Sequence, residues 1–352
     1  MAFLITFLAL NFVVFFHELG HFLAAKRAGI GVTEFSLGMG PLLASFNYND
    51  TQFSFRLLPL GGFVKLAGLD DANCPDEKNY FKKTISQRAF TLAAGSIMNA
   101  ILGFLILFSL AFVLGIPAIK PQINKVMPDS PASIAGIVSG DIVTHIDGNK
   151  IKNVKNDFIQ YIGSHSDTPI LISLKRQGAD VELSVTPKES DGRGLIGIEL
   201  DYHRKKYRPF LSIKEATKDS LFYASLVFKS IDMLISGKVD ITEMSGPVGI
   251  VQVASNQLNQ GIIQFLSIIA MISISLGVIN LFPFPILDGG HLLFLAIEKI
   301  RKKPINKRVE NWVNNAGVAL LALLTITILL NDIKQWSPRT KMLDTMNSQL
   351  EK

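Results

Sequence analysis

Polar and apolar positions along this 352-residue chain fall into long blocks rather than short alternations. Residues 1–16 are apolar except for Thr6 and Asn11. After an interruption carrying three ionisable side chains, the apolar character resumes as far as Ala25. Residues 89–119, 244–287 and 311–331 contain no Asp, Glu, Lys, Arg or His. Each block is near or above the roughly 20 residues a helix needs to cross hydrocarbon. In the longest block only the part from about Gly261 is dense enough in Ile, Leu and Phe to do so. The pattern predicts four membrane-spanning helices at 1–25, 90–116, 261–287 and 311–331.

Between the blocks the period changes. Residues 32–37, 43–48 and 51–57 are rich in β-branched and aromatic side chains, Phe53, Phe55 and Leu57 alternate with polar neighbours, and Asn49-Asp50 supplies a turn. Pro59-Leu60-Gly61-Gly62-Phe63 breaks that alternation and is very apolar for a loop. Non-helical backbone at membrane depth is tolerated only against protein or a wet cavity. Residues 32–66 are therefore expected to form a membrane-associated β-hairpin region whose edge dips toward the first helix. Residues 117–203 read as a separate β-rich module of ordinary domain size. Its strands fall at 142–146, 170–176 and 181–186, with turns at Asp147-Gly148-Asn149 and across residues 177–180 and a short helix at 157–163. Residues 209–240 hold an amphipathic helix with Leu221, Ala224, Phe228, Ile231 and Ile235 at helical spacing, expected to lie on the membrane surface. Residues 237–249 read as a loop, and the polar tail, 335–352, as loosely ordered. The fold class is thus a polytopic α-helical membrane protein, its core split into halves at 1–116 and 241–334 by the inserted module.

Composition agrees. Mean hydropathy is +0.33, and 18% of residues are charged, against about 25% in typical soluble domains. The net charge of +6 calls for no nucleic acid. Eight basic residues lie in 26–88 and six in 299–308, both between spans and on one side if the helices alternate. The positive-inside rule makes that side cytoplasmic. The β-rich module and both termini would then face the periplasm, and the protein would sit in the inner membrane. The first block lacks the basic start and small-residue cleavage site of a signal peptide, so it is expected to stay as a span. The single cysteine, Cys74, falls on the reducing side.

The interruption in the first block is His17-Glu18-Leu19-Gly20-His21. Imidazoles at i and i+4 share one helix face and can grip one Zn²⁺, while the glutamate between them can take a proton from zinc-bound water. Ionisable groups at membrane depth are costly and mark function. A catalytic zinc needs a third protein ligand. The third span ends in Asn280-Leu281-Phe282-Pro283-Phe284-Pro285-Ile286-Leu287-Asp288-Gly289-Gly290-His291, where Asp288 is the first charge after a long neutral run. Two prolines break the helix before Asp288, and the glycines after it are expected to let the backbone bend. Helix rise puts His17 roughly 24 Å from the N-terminus, in the same half of the bilayer as Asp288. His291 is expected to bond locally rather than to ligate, and Asn99, alone in the second span, to hydrogen-bond a neighbouring helix.

Two family resemblances follow from these motifs. Ser130-Pro131-Ala132-Ser133-Ile134-Ala135-Gly136, with Gly140-Asp141-Ile142-Val143 and Ile146-Asp147-Gly148, resembles the PDZ family and implies a groove that adds a peptide end as a strand. The histidine motif, the Asn280-to-His291 motif, the stretch 59–66 and Ser245-Gly246-Pro247-Val248-Gly249-Ile250 together resemble the site-2 protease family of intramembrane zinc metalloproteases, in its bacterial regulator of sigma-E protease branch. The resemblance implies zinc on His17, His21 and Asp288, Glu18 as base, and Asn280 and the Gly61-Gly62 stretch as substrate contacts. It implies single-span membrane proteins as substrates, either anti-sigma factors after a first cut or remnant signal peptides. The chain departs from that branch in having one PDZ module rather than two, and Gly95-Ser96 where Gly-Pro is usual. A non-catalytic PDZ scaffold has no use for Glu18, and a divalent-metal transporter would need a second ligand cluster along an exit route.

Overall fold

The computed structural model describes residues 1–350 apart from 70–75, 153, 191, 206–208 and 239–245. The side chains described also leave out 60, 76, 116–119, 155, 202–205 and 333–350. The chain divides into two compact units, 1–110 with 211–352 and 111–210.

In the larger unit, α1 (Ala2–Arg27) leads into β1 (Val32–Tyr48) and β2 (Thr51–Leu66), and α2 (Ile85–Ser109) follows. Thr84 caps α2, and its side chain and that of Gln87 satisfy each other's backbone N–H groups. Leu110–Leu114 then widens into a π turn. β1 and β2 fold on each other more than once. Residues 32–37 pair with 62–66 on one side and 52–55 on the other, while 42–48 pair with 51–56. The turn forms at Asn49-Asp50, both with positive φ. Pro59 to Phe63 does not end the sheet, because β2 runs on through Gly62, opposite Leu37.

Glu34 pins this sheet. Its carboxylate accepts hydrogen bonds from Ser54 (2.6 Å), Arg56 (2.6 Å) and Lys65 (2.7 Å), tying the central segment to both neighbours. Burial pushes the Glu34 carboxyl pKa up, but hydrogen bonds from Lys65, Ser54 and Arg56 outweigh it and hold the group at about 2.

The smaller unit contains β3 (Ile116–Val126), α3 (Pro131–Ile134), β4 (Ile142–Ile146), β5 (Asn149–Lys150), α4 (Gln160–Ser164), β6 (Ile170–Arg176), β7 (Ala179–Val185), β8 (Lys188–Ser190), β9 (Arg193–Leu195) and β10 (Ile198–Lys205). Its main sheet runs β10-β3-β4-β6-β7, so β10 is an edge. A trough of about 420 Å³ lies between residues 194–200 and Phe158, Ile159 and Ile162 beside α4. Strand residues form one wall and helix residues the other, as the resemblance to the PDZ family implies. The β6–β7 turn is tighter than its sequence suggests, with only Gln177 and Gly178 between the strands, both at positive φ.

The chain returns through α5 (Pro209–Ile235), α6 (Pro247–Gln260), α7 (Ile262–Asn280), α8 (Asp288–Arg301) and α9 (Lys307–Leu350). Among the described residues, four helical stretches are long and apolar enough to cross a membrane: Ala2–Arg27, Ile85–Leu114, Ile262–Asn280 and Lys307–Asp332. Two expectations need correction. The described end of the loop proposed for 237–249 is already helix, because Pro247 starts α6; residues 239–245 lie outside the described set. Asp332 of α9, fully buried, accepts the backbone N–H groups of Gly246 (3.1 Å) and Gly249 (2.9 Å), capping that helix from another element. The tail is helical as far as Leu350, not loose, since extending an existing helix avoids the cost of nucleation.

α2 lies between α1 and α7. A side chain at Gly20 would strike the Ala94 carbonyl and Met98, and one at Gly277 would meet the Ser96 carbonyl at 2.7 Å. Small residues that let backbones approach are how membrane helices pack.

Candidate metal centre

α1 places His17 and His21 one turn apart, both buried and facing α2. Their Nε2 atoms lie 3.2 Å apart, and Asp288 Oδ2 stands 3.3 and 3.4 Å from them. Four ligands about 2.0 Å from a tetrahedral zinc sit about 3.3 Å from one another. The three protein atoms therefore match three corners of such a shell. Asp288 Oδ2 is buried with no hydrogen-bond partner, so its lone pairs are left for a cation. The donor set, two imidazoles and a carboxylate, suits zinc.

Asp288 reaches this point by a chain reversal. α7 ends at Asn280, residues 281–287 fold back, and Asp288 is the first residue of α8, in the helical turn that favours an acid. The glycines after it do not bend the backbone. Neither has positive φ, which falls instead on Ile286 at 80°. They make room: a Cβ on Gly289 would enter the backbone of Leu281 and Phe282, and one on Gly290 that of Phe284. The other end of α8 is tied down by Glu298, whose carboxylate takes both ends of the buried Arg88 guanidinium at 2.5 and 3.2 Å.

The remaining sequence candidates are distributed around this cluster. The Asn280 amide lies 3.3 Å from His17 Nε2. Gly62 runs beside Glu18, and a Cβ there would stand 3.3 Å from Glu18 Cγ. Gly61 has φ +76° and sits against Met39. His291 is outside the cluster, with Nδ1 3.8 Å from Glu310 of α9.

The face of α2 beneath the imidazoles carries no ligand, and on it the sequence marked only Asn99, as a hydrogen-bonding partner for a neighbouring helix. The Thr91 carbonyl accepts from His21 Nδ1 at 2.8 Å. Gly95, one turn on, leaves the room in which both rings sit, since a Cβ there would run into His21 Nε2 and His17. Asn99, one turn further, puts its amide 3.3 Å from His17 Nδ1. The lone Asn in a span was the signal for the last contact. The carbonyl of Thr91 left none.

Fold and site together define an integral-membrane zinc metalloprotease. The model of peptidase family M50 matches residues 5–324, and the chain belongs to that family. It is 30% identical to zinc metalloprotease RasP of Geobacillus kaustophilus, over 96% of this chain and 98% of the relative. It is also 30% identical to the regulator of sigma-W protease RasP of Bacillus subtilis, over 95% and 98%. Among solved structures, the PDZ domain of an SdrC-like protein from Listeria innocua is 30% identical, covering 25% of this chain and 99% of that one, with a TM-score of 0.22.

Proposed function

We propose that this protease cuts peptide bonds inside the membrane-spanning segments of single-span proteins, with His17, His21 and Asp288 as zinc ligands and Glu18 as general base. The observation that carries this reading is the convergence of three ligand atoms, none more than 3.4 Å from another, between a helix apolar enough to cross the bilayer and the turn that follows a second such helix. His17, His21 and Asp288 would hold zinc there, and it would supply Lewis-acid polarisation of the scissile carbonyl and of the attacking water. Glu18 takes the proton from the attacking water and passes it to the leaving amide nitrogen. Asn280, whose amide reaches the same point, holds the substrate backbone.

A helical substrate hides its carbonyls in its own hydrogen bonds and must unwind before attack. Among the described residues, 62–65 pair with 34–37 on one side, and Gly62 passes Glu18. The opposite backbone edge of residues 62–65, beginning at Gly61-Gly62, can pair with an unwound segment and offset the hydrogen bonds it lost. The PDZ groove beside β10 can take a peptide end in the same manner.

The basic residues between spans support a cytoplasmic-membrane protein with its PDZ domain and both termini outside. The amphipathic α5 lies on the outer surface. The name of the Bacillus subtilis relative supports anti-sigma factors as substrates, in regulated intramembrane proteolysis. Remnant signal peptides are the second class that fits.

The test is cleavage of a single-span protein with a short outer stub by wild type and Glu18→Gln in detergent, with zinc content measured on both. Wild type cuts within the span and is stopped by a zinc chelator, while Glu18→Gln holds zinc and does not cut. Normal turnover by Glu18→Gln would remove it as the base.

A further inference from the structure

We propose that Asn99 is a positioning residue for His17: its side-chain oxygen accepts the Nδ1 proton and so keeps Nε2 bare for the metal. This rests on the ligand reading above. A neutral imidazole carries one proton, and the nitrogen that binds a metal cannot hold it. His17 Nε2 faces His21 Nε2 and Asp288 Oδ2, so the proton belongs on Nδ1. Nδ1 faces the amide of Asn99 at 3.3 Å. The two ends of an amide are told apart by the partners they meet. The amide nitrogen, Nδ2, is the end placed at that distance, and Oδ1 is buried with no partner; since only the oxygen can accept, the amide turned over, with Oδ1 on Nδ1, is the arrangement that satisfies both groups.

The residue is held for this task. Asn99 is fully buried, its backbone carbonyl accepts Ser273 Oγ of α7 at 2.8 Å, and Gly277 lets α7 close over it. The second imidazole repeats the arrangement. His21 turns Nε2 to the cluster and gives its Nδ1 proton to the Thr91 carbonyl, two turns back along the same face of α2. One acceptor is a main-chain group that substitution cannot remove. The other is a side chain that can be changed.

The experiment measures zinc affinity of the full chain in detergent by chelator competition, for wild type, Asn99→Leu, Asn99→Asp and Asp288→Ala. The visible spectrum of the cobalt-substituted forms reports ligand geometry. Asn99→Leu should weaken zinc about 10- to 100-fold, the usual cost of losing a partner of a metal-bound histidine, and shift the cobalt bands. Asn99→Asp, an acceptor that cannot donate, should keep wild-type affinity and spectrum. Wild-type affinity in Asn99→Leu, with zinc lost from Asp288→Ala, would overturn the proposal and leave the ligand set standing. Zinc retained by Asp288→Ala would overturn the ligand set itself. If Asn99→Leu does not fold, Asn99→Asp decides alone: loss of zinc from it would mean that Asn99 donates to His17 rather than accepts from it, and would overturn the proposal.

Discussion

The PDZ domain buries Phe158, Ile123, Ile146, Ile170, Ile172 and Leu174 almost completely, and its enclosed acid, Asp141, is neutralised by Arg176 at 2.7 and 2.8 Å. Burial pushes the Asp141 pKa up, but the hydrogen bonds from Arg176 and the Val138 N–H outweigh that and hold it below the usual carboxylate range. The membrane unit inverts this distribution. His17, His21, Arg88, Thr91, Ser96 and Asn99 are buried, while Phe3, Leu4, Leu8 and Phe12 are exposed. In water, burying apolar surface drives folding. In lipid, apolar side chains gain little by meeting one another, so small residues and paired polar groups decide which helix faces touch. The metal site exploits that inversion, since a helix interface selected by polar contacts can hold ligands without a separate cavity.

The sharpest way to break the comparison is a single methyl group at Gly95. Gly95→Ala places a Cβ against both imidazoles, and zinc measured in the purified protein should fall below stoichiometric, with proteolysis lost. In the PDZ domain the largest effect comes instead from removing apolar volume. Phe158→Ala should destabilise that domain by about 3–5 kcal/mol, seen as faster hydrogen exchange confined to residues 111–210, while zinc affinity stays unchanged. A zinc loss in Phe158→Ala would mean that the two units are not energetically separate.

A smaller effect tests the polar link in the β region. Glu34 is held at about 2 against an ordinary value of 4.5. Its depressed pKa adds stability that is complete above about 4.5 and is lost as pH falls toward 2. Hydrogen exchange of residues 32–66 should therefore rise across that window in wild type and show no such step in Glu34→Gln. The smallest effect is the control for Gly95. Gly163, in the short helix of the PDZ domain, has nothing within 4 Å of the place its Cβ would take. Gly163→Ala should leave zinc and proteolysis untouched and shift stability by at most about 1 kcal/mol.

Much of this protein was legible in its sequence because the relevant signals are local. Runs without charge announced the spans, whose helices the structure contains. The histidine pair needs only the helical period to share a face, and Asp288 stood out as the first charge after a neutral run. PDZ strands and turns followed from alternation and from residues that tolerate positive φ.

What the sequence left open belongs to contacts between elements. That Gly289 and Gly290 give clearance rather than flexibility depends on how residues 281–287 fold back. That Asp332 caps α6 depends on the start of α6 meeting the interior of α9, more than 80 residues away in sequence. The clearest case is α2. A main-chain carbonyl at Thr91 and the missing side chain of Gly95 carry no chemical signature in the sequence. They act only once α1 lies against α2 at the rotation that Gly20 permits. The sequence by itself determined which groups could bind the metal. The tertiary structure decided which nitrogen of each histidine meets Asp288, because that depends on the partner the other nitrogen finds across the helix interface.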